Sequence, residues 1–207
     1  MTPKTAVAGP VTDRGETTRR LIIEAAAFAF AEHGFHGVSL NDIVRESGLT
    51  KGAFYFHFPS KEALALEVFR TKQEKWVGAT MAAMMAKQRA YDQLNAMLDC
   101  GCEMHENDAS ARVVGRLCLE LSREPQLAPK LIGHLTVWFD IVAGVVAKAQ
   151  SEGDVRPDID PRGAAEVIVS AFIGLEQISE TLSGSSDLRA RMENLRTFVD
   201  AALRPSP

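Results

Sequence analysis

The chain has 207 residues, of which 46% are hydrophobic and 24% are charged, and its formal net charge is −4. This composition is typical of a globular protein with one domain, or with one small and one larger domain, and it excludes a polycation that coats nucleic acid by charge alone. The three cysteines form an odd set without framework spacing, which indicates a reducing, cytoplasmic location. No uninterrupted apolar run reaches 18 residues, so we expect no membrane span.

The N-terminal segment, residues 1–16, is rich in Thr, Pro and Gly and lacks the apolar run of a secretory signal. We therefore expect a flexible arm there. Apolar residues then recur at helical spacing from Leu21 to Ala31. This period predicts a first helix that begins near Thr17 and ends at Gly34, since glycine readily adopts the left-handed conformation past a helix end.

Two short helices follow, with recognisable start and stop signals. Ser39 is a good N-cap, Gly48 ends the helix that Ser39 opens, and Thr50 caps the next helix. The linker SGLT and the lengths of the two helices match a helix-turn-helix. Pro59 stops the second of them, and Ser60 caps a fourth helix.

The helical pattern continues to the C-terminus, and no stretch alternates convincingly like a strand. We predict an all-α fold of about nine helices, with a helix-turn-helix domain at 17–60 and a helical ligand-binding and dimerisation domain at 61–207. The fourth helix extends to about Lys87, and the later helices are expected at 90–106, 110–123, 127–152, 161–182 and 187–203. The last two carry apolar residues on faces that one chain leaves uncovered, so we expect them to form a homodimer interface.

Five consecutive positions in the third helix hold four aromatic residues and one histidine. Phe54 and Phe58 are expected to anchor this short helix, because large rings supply much buried area per residue. Tyr55 and His57 have polar tips, and Lys51 lies near the helix N-terminus, where phosphate binding is favoured. This arrangement predicts a helix that presents side chains to DNA.

Three stretches resemble, in order and spacing, the DNA-binding domain of TetR-type (tetracycline-repressor-like) transcriptional regulators: AAAFAFAEHGF, VSLNDIVRESGLTKGAFYFHF and PSKEAL. The resemblance covers about Thr17 to Ala65. It implies a homodimer that binds a palindromic double-stranded DNA operator, that responds to a small-molecule effector without a cofactor, and that is not an enzyme. The residues that it assigns to DNA contact are Ser39, Arg45, Thr50, Lys51, Gly52, Tyr55, His57 and Lys61.

A narrower resemblance is to the γ-butyrolactone receptor branch, which senses small signalling lactones or furans and uses a tryptophan in its pocket. TKGAFYFHFPSKEALA, Trp138 and the SEGDVRPDIDP break carry this resemblance. We expect a mostly apolar pocket between the fourth helix and the helices within 90–152. Its candidate lining residues, for each of which core packing is the alternative, are Met97, Met104, Leu117, Leu121, Trp138, Phe139, Ser170 and Ile173.

Two other readings of the sequence stay open. Cys100, Cys102 and His105 are soft or common metal ligands within six residues, which would suit a metal-responsive or thiol-redox-responsive regulator. Positions two apart on a helix do not face each other, however, which favours packing over a metal site. A helical enzyme that acts on a small molecule is the second alternative, although none of the common catalytic motifs occurs. We expect a repressor that a small, mostly apolar molecule releases from DNA; an activator or a constitutive architectural protein would share the same helix-turn-helix.

Overall fold

A computed structural model describes residues 11–108 and 111–205. Within these residues there are nine helices and no strand, which confirms the predicted all-α fold. In chain order they are α1 Val11–Gly37, α2 Leu40–Ser47, α3 Lys51–His57, α4 Lys61–Met85, α5 Ala90–Asn107, α6 Arg112–Leu121, α7 Ala128–Ser151, α8 Pro161–Ser183 and α9 Leu188–Leu203. The bounds of α5 to α9 lie within two residues of the predicted ones, because Gly, Pro and Ser clusters separate these helices.

The first helix begins at Val11, earlier than the predicted start at Thr17. Part of the expected arm is therefore helical, while residues 1–10 lie outside the described residues. Glu16 and Thr17 are exposed, and the start of α1 has no apolar residues at helical spacing from which the sequence could have predicted it. Gly34 has φ 76° and ψ 170°, and it interrupts the helical dihedrals where the helix end was predicted. A last turn then continues to Gly37.

The described residues form two apolar cores, and α4 contributes to both. The first core holds the inner faces of α1, α2, α3 and the beginning of α4. Buried residues from later in the chain complete it: Val113, Leu117, Cys118, Leu121, Leu127 and Leu131. The second core lies among the end of α4 and helices α5, α7, α8 and α9. The first core thus extends well past residue 60, and α6 belongs to it although it lies in the C-terminal half of the chain.

Two helices of the C-terminal body present apolar residues to solvent. On α8, Val167, Ile178 and Leu182 are 67%, 47% and 70% exposed, and their spacing places them on one face. Ser170 and Gly174 lie on the same face and are exposed as well. On α9, Phe198 is 76% exposed. An apolar surface of this kind usually marks an interaction site.

Among the described residues, α7 is the one helix that is long and apolar enough to cross a membrane by length and composition alone. Its most apolar window has a mean hydropathy of 1.5, and 22% of that window is buried. Trp138, Val142 and Val146 of this helix are buried in the second core, against α5 and α8. A single helix of this kind is weak evidence for a membrane span, since packed helices of ordinary domains meet the same criterion.

Candidate DNA interface and ligand cavity

The turn between α2 and α3 is fixed by caps on both helices. Ser39 and Asp42 form a capping box, in which the Ser39 hydroxyl accepts the Asp42 N–H at 3.2 Å and the Asp42 carboxylate accepts the Ser39 N–H at 3.2 Å. Gly48 ends α2 in the left-handed conformation at φ 68°, as its position in the sequence predicts. Thr50 caps α3 by accepting the Ala53 N–H at 3.3 Å. These local bonds set the direction in which α3 leaves α2.

Two rings anchor the inner side of α3. The Phe54 side chain is completely buried and Phe58 is 3% exposed, with 6.3 Å between their ring centroids. Both belong to the first core, together with residues of α1 and α4. The guanidinium of Arg19 lies 5.2 Å from the centroid of the Phe58 ring. A helix of seven residues is thereby held by burial of aromatic area rather than by its own length.

The opposite side of α3 faces solvent. Thr50, Lys51 and Gly52 are exposed, and Tyr55 is 47% exposed. Phe56 is 85% exposed, and its ring makes an edge contact with the neighbouring His57 ring, with 5.2 Å between the centroids. Sequence reasoning did not assign Phe56. The sequence did hold one sign that Phe56 is exposed. A buried helical residue usually has apolar neighbours four positions away, but these positions hold Gly52 and Ser60.

Four residues predicted to contact DNA also bond within the chain. The Lys61 ammonium donates to the carbonyls of Phe35 at 2.9 Å and Val38 at 3.1 Å. It thereby ties the start of α4 to the segment between α1 and α2. Arg45 forms an exposed ion pair with Asp42 at 2.8 Å, and the Ser39 hydroxyl serves the cap described above. The Thr50 hydroxyl likewise serves its own cap, while Lys51, Gly52 and Tyr55 are exposed to solvent.

A cavity of about 60 Å³ lies between the two cores. Helices α4, α5, α6, α7 and α8 supply its walls, which are mainly apolar and aromatic. The lining residues are Phe69, Gln73, Trp76, Met97, Ala111, Val114, Gly115, Cys118, Leu135, Trp138, Val169, Phe172, Ile173 and Glu176. The Trp76 and Trp138 ring centroids are 4.9 Å apart at an interplanar angle of 74°, which is an edge-to-face contact.

The structure brings three of the eight predicted pocket residues together in this cavity, namely Met97, Trp138 and Ile173. Ser170 lies on the exposed face of α8 instead. Phe139 packs at the margin of the second core beneath Arg162, and Met104 is half-buried on α5 away from the lining.

Leu117 and Leu121 lie on the other side of α6 from the cavity. Both are fully buried in the first core, while their neighbours Val114, Gly115 and Cys118 line the cavity. The sequence pattern predicted a helix at 110–123, but periodicity alone does not tell which side of a helix meets which neighbour. Burial raises the pKa of the Cys118 thiol, so this residue is a small apolar wall at neutral pH.

Helix α6 is also joined to the end of α1 by polar contacts. The Arg116 guanidinium donates to the Ala31 carbonyl at 2.7 Å and to the Glu120 carboxylate at 3.1 Å. The Glu120 carboxylate in turn accepts the backbone N–H of Phe35. A Cβ at Gly34 would lie 2.5 Å from the Glu120 carboxylate, so glycine is required there both for its φ and for this close approach.

The three residues considered for a metal or redox site do not converge. The described part of the chain contains no group of three His, Cys, Asp or Glu residues arranged to hold a metal ion. Burial raises the pKa of the Cys102 thiol to about 11, which disfavours the thiolate that a metal needs. Cys100 instead lies 3.9 Å from the Thr80 hydroxyl, and the Nε2 atom of His105 is 2.8 Å from the Ser185 hydroxyl.

The structure combines a capped two-helix unit, whose second helix is exposed, with a helical body that contains an apolar cavity. Helices α4 and α6 join the two. This combination defines a helix-turn-helix regulator with a small-molecule sensor domain. Residues 22–68 match the family described as bacterial regulatory proteins, tetR family. The chain belongs to this family of transcriptional regulators, which confirms the predicted resemblance.

Similarity extends over most of the chain. The A-factor receptor protein of Streptomyces griseus is 30% identical over 188 residues, which is 88% of this chain and 62% of that protein. The transcriptional regulator UidR of Escherichia coli K12 is 27% identical over 190 residues, or 88% of this chain and 94% of UidR. The crystal structure of TylP, a TetR regulator from Streptomyces fradiae, has 27% identity and a TM-score of 0.69, and covers 93% of this chain and 89% of that one. These similarities confirm that the chain is a regulator and not an enzyme.

Proposed function

We propose that the chain acts as a homodimeric repressor, which binds a palindromic operator through α3 and is released by a small, mostly apolar molecule in the cavity. The observation that carries this proposal is the division of α3 into two sides. Phe54 and Phe58 are buried in the first core, while Lys51, Gly52 and Tyr55 are exposed with no core to cover them. A helix held from behind in this way can enter the major groove without losing its own packing.

The proposed contacts divide by chemistry. Lys51 supplies a positive charge, and Tyr55 and His57 supply hydrogen-bonding tips, which suit phosphate oxygens. Gly52 permits close approach of the α3 backbone because it has no side chain. Phosphate contacts fix the position of the helix but carry little sequence information, so base recognition falls to the remaining exposed side chains of α3.

The exposed apolar face of α8 and the neighbouring α9 support a dimer through residues 161–182 and 187–203. Val167, Ile178, Leu182 and Phe198 would be buried if two copies aligned these helices. A two-fold axis is also what a palindromic operator requires, because two recognition helices must meet half-sites about 34–36 Å apart.

Release can be transmitted through two helices that line the cavity and also belong to the first core. Phe69 of α4 lies in both sets, and so does Cys118 of α6. A ligand that enlarges the cavity must displace these walls, and the displacement changes the angle at which α3 is presented. Effective release needs the ligand to prefer the non-binding form about a hundredfold, which corresponds to roughly 3 kcal/mol. The similarity to the A-factor receptor protein supports a γ-butyrolactone or furan-type signal as the effector.

DNA binding is tested with operator fragments selected from random duplexes, by fluorescence anisotropy over a range of salt. We expect the affinity to fall steeply between about 50 and 200 mM salt, because bound phosphates release counterions. Tyr55→Ala should weaken binding while the dimer stays folded, and Leu21→Ala, an equally exposed change on α1, should not. A flat salt profile or an unchanged affinity for the Tyr55 variant would remove α3 from the DNA interface.

The sensor role is tested by replacement of Trp138, which is 5% exposed and lines the cavity. Trp138→Phe keeps an aromatic wall but removes the edge-to-face contact with Trp76. We expect operator affinity within about twofold of the original and a weaker response to an effector recovered by screening lactones. An intact response would locate the effector site elsewhere in the molecule.

A further inference from the structure

One carboxyl group stands out in the mainly apolar wall of the cavity. Glu176 lies on α8, and its Oε1 atom is 3.4 Å from Nδ1 of His105. The His105 side chain is 4% exposed and the Glu176 side chain 13% exposed. Burial raises the pKa of the Glu176 carboxyl, and the contact with His105 opposes that effect. The protonation of this pair therefore decides what the cavity offers to a ligand.

The hydrogen bond between His105 and Ser185 fixes one proton of the imidazole. The Ser185 hydroxyl donates its only hydrogen to the Glu180 carboxylate. Ser185 must then accept from His105, so Nε2 of His105 carries a hydrogen. Nδ1 lies 3.4 Å from Glu176 Oε1 but completes no hydrogen bond of ordinary geometry within the described residues. Two facing lone pairs at this separation would repel each other, so we expect one proton on this edge and no net charge on the pair.

The second carboxyl oxygen of Glu176 is turned toward Gly115. A Cβ built at Gly115 would lie 3.3 Å from Glu176 Oε2. Both residues line the cavity, and Oε2 has no hydrogen-bond partner among the residues that the structure describes. Because the shared proton is on the Oε1 side, Oε2 is an acceptor in both protonation arrangements. An acceptor without a partner at an apolar wall is costly unless water or a ligand donates to it.

The remaining walls limit the size and polarity of that ligand. Trp76, Trp138, Phe172 and Met97 supply apolar and aromatic surface. Gln73 is 9% exposed and lines the same cavity, so its amide is available to a ligand there. A cavity of about 60 Å³ has room for about four to six water molecules.

We propose that the cavity binds a neutral molecule with a compact apolar body and a hydroxyl or N–H group that donates to Glu176 Oε2. This inference rests on the proposed sensor function, and it narrows the effector from any apolar molecule to one that carries a hydrogen-bond donor. Gln73 supplies a further amide to a polar atom of the same ligand. A permanent cation is disfavoured because the carboxyl charge is already balanced by His105.

The test uses four molecules with seven non-hydrogen atoms each: cyclohexanol, cyclohexanone, methylcyclohexane and cyclohexylammonium. The chain has two tryptophans, and both line the cavity, so intrinsic tryptophan fluorescence reports occupancy without a label and without DNA. We expect cyclohexanol to bind about three- to tenfold more tightly than cyclohexanone, as one hydrogen bond provides, and more tightly than the ammonium.

Three variants distinguish the effect of the Glu176 carboxyl on cyclohexanol binding from the effect of nearby residues. Glu176→Gln can donate to Nδ1 of His105 and keep a carbonyl oxygen toward the cavity, so cyclohexanol affinity should stay within about threefold. Glu176→Leu removes the acceptor and should abolish the preference for the alcohol. Gln177→Leu is the matched control, because the Gln177 amide would also lie 3.3 Å from a Cβ at Gly115 but Gln177 does not line this cavity. This variant should leave the preference intact. Circular dichroism checks that each variant is folded.

Equal affinity for alcohol and ketone in the unmodified protein would overturn the proposal, and so would tightest binding of the ammonium or no binding of any probe. These results do not depend on variant folding. They are also independent of the DNA-binding experiment: loss of operator binding would count against the proposed function, while the alcohol preference is measured on the free protein.

Discussion

Phe54 and Phe56 are separated by two positions in α3 and have opposite environments. Phe54 is completely buried, whereas Phe56 is 85% exposed. Successive helical positions are rotated by about 100°, so residues two apart point to nearly opposite sides. The buried ring fixes the helix to the first core. Within the described part of the chain, the ring contact of the exposed Phe56 is with the edge of His57, and Phe56 projects beside Tyr55, on the side proposed to meet DNA.

We predict that Phe56→Ala lowers operator affinity by roughly 1–2 kcal/mol, because the ring would lose apolar contact with a thymine methyl group or sugar in the major groove. Binding to random duplex DNA should change little. Anisotropy titrations with both duplexes give the two affinities. The same loss on random DNA would mean that Phe56 contributes to general binding rather than to base recognition. Phe28→Ala, at a 57% exposed position of α1, serves as a control.

At the scale of elements, α6 connects the cavity to the DNA-binding domain because its two sides have different neighbours. Val113, Leu117 and Leu121 pack in the first core, while Val114 and Gly115 face the cavity. Arg116 and Glu120 bond to the end of α1 at the interruption formed by Gly34. A shift of α6 caused by the proposed ligand would therefore be passed to α1 through both apolar and polar contacts.

We expect Glu120→Ala to lower the free energy of unfolding by about 1–3 kcal/mol, because the backbone N–H of Phe35 loses its acceptor in a part-buried site. The variant should also need more effector for the same release of operator DNA, since one link between α6 and α1 is gone. Urea unfolding and effector titrations provide the two measurements. Glu32→Ala on exposed α1 surface is the matched control. Undiminished release with lowered stability would show that the apolar contacts alone transmit the signal.

For the whole molecule, the apolar surface left open by one chain indicates a second copy. Leu182 and Phe198, on α8 and α9, are 70% and 76% exposed. Surface of this kind is normally covered by a partner, and a two-fold arrangement would cover it on both copies at once. Dimerisation would also double the DNA contacts, so operator affinity and dimer stability are expected to be linked.

Leu182→Asp places a charge on each copy of the proposed interface. We predict that the dimer dissociates at micromolar concentration, with a loss of roughly 2–4 kcal/mol, as expected for a central interface residue. Analytical ultracentrifugation measures the change in mass. Met85→Asp, at a 76% exposed position on α4, should leave the dimer intact. A dimer that survives the Leu182 change would move the interface away from this face of α8.

Much of the fold could be predicted from the sequence because its signals are local. Ser39, Gly48 and Thr50 act through bonds to residues within four positions, and the structure has these caps where they were predicted. The helical period likewise depends on neighbours along the chain. The start of α1 was missed because its first turns have no apolar residues at helical spacing. Phe56 was overlooked because an exposed ring does not belong to such a spacing.

The amino-acid sequence by itself determined the all-α class, the helix-turn-helix and the family, since each follows from spacing within a continuous segment. Only the tertiary structure decided which side of α6 meets the cavity, and that Gln73, Trp76 and Glu176 line it while Ser170 does not. The physical reason is that apolar residues recur at the same spacing along a helix whether they face a core or a ligand. The rotation of each helix against its neighbours is fixed by packing between residues far apart in the chain.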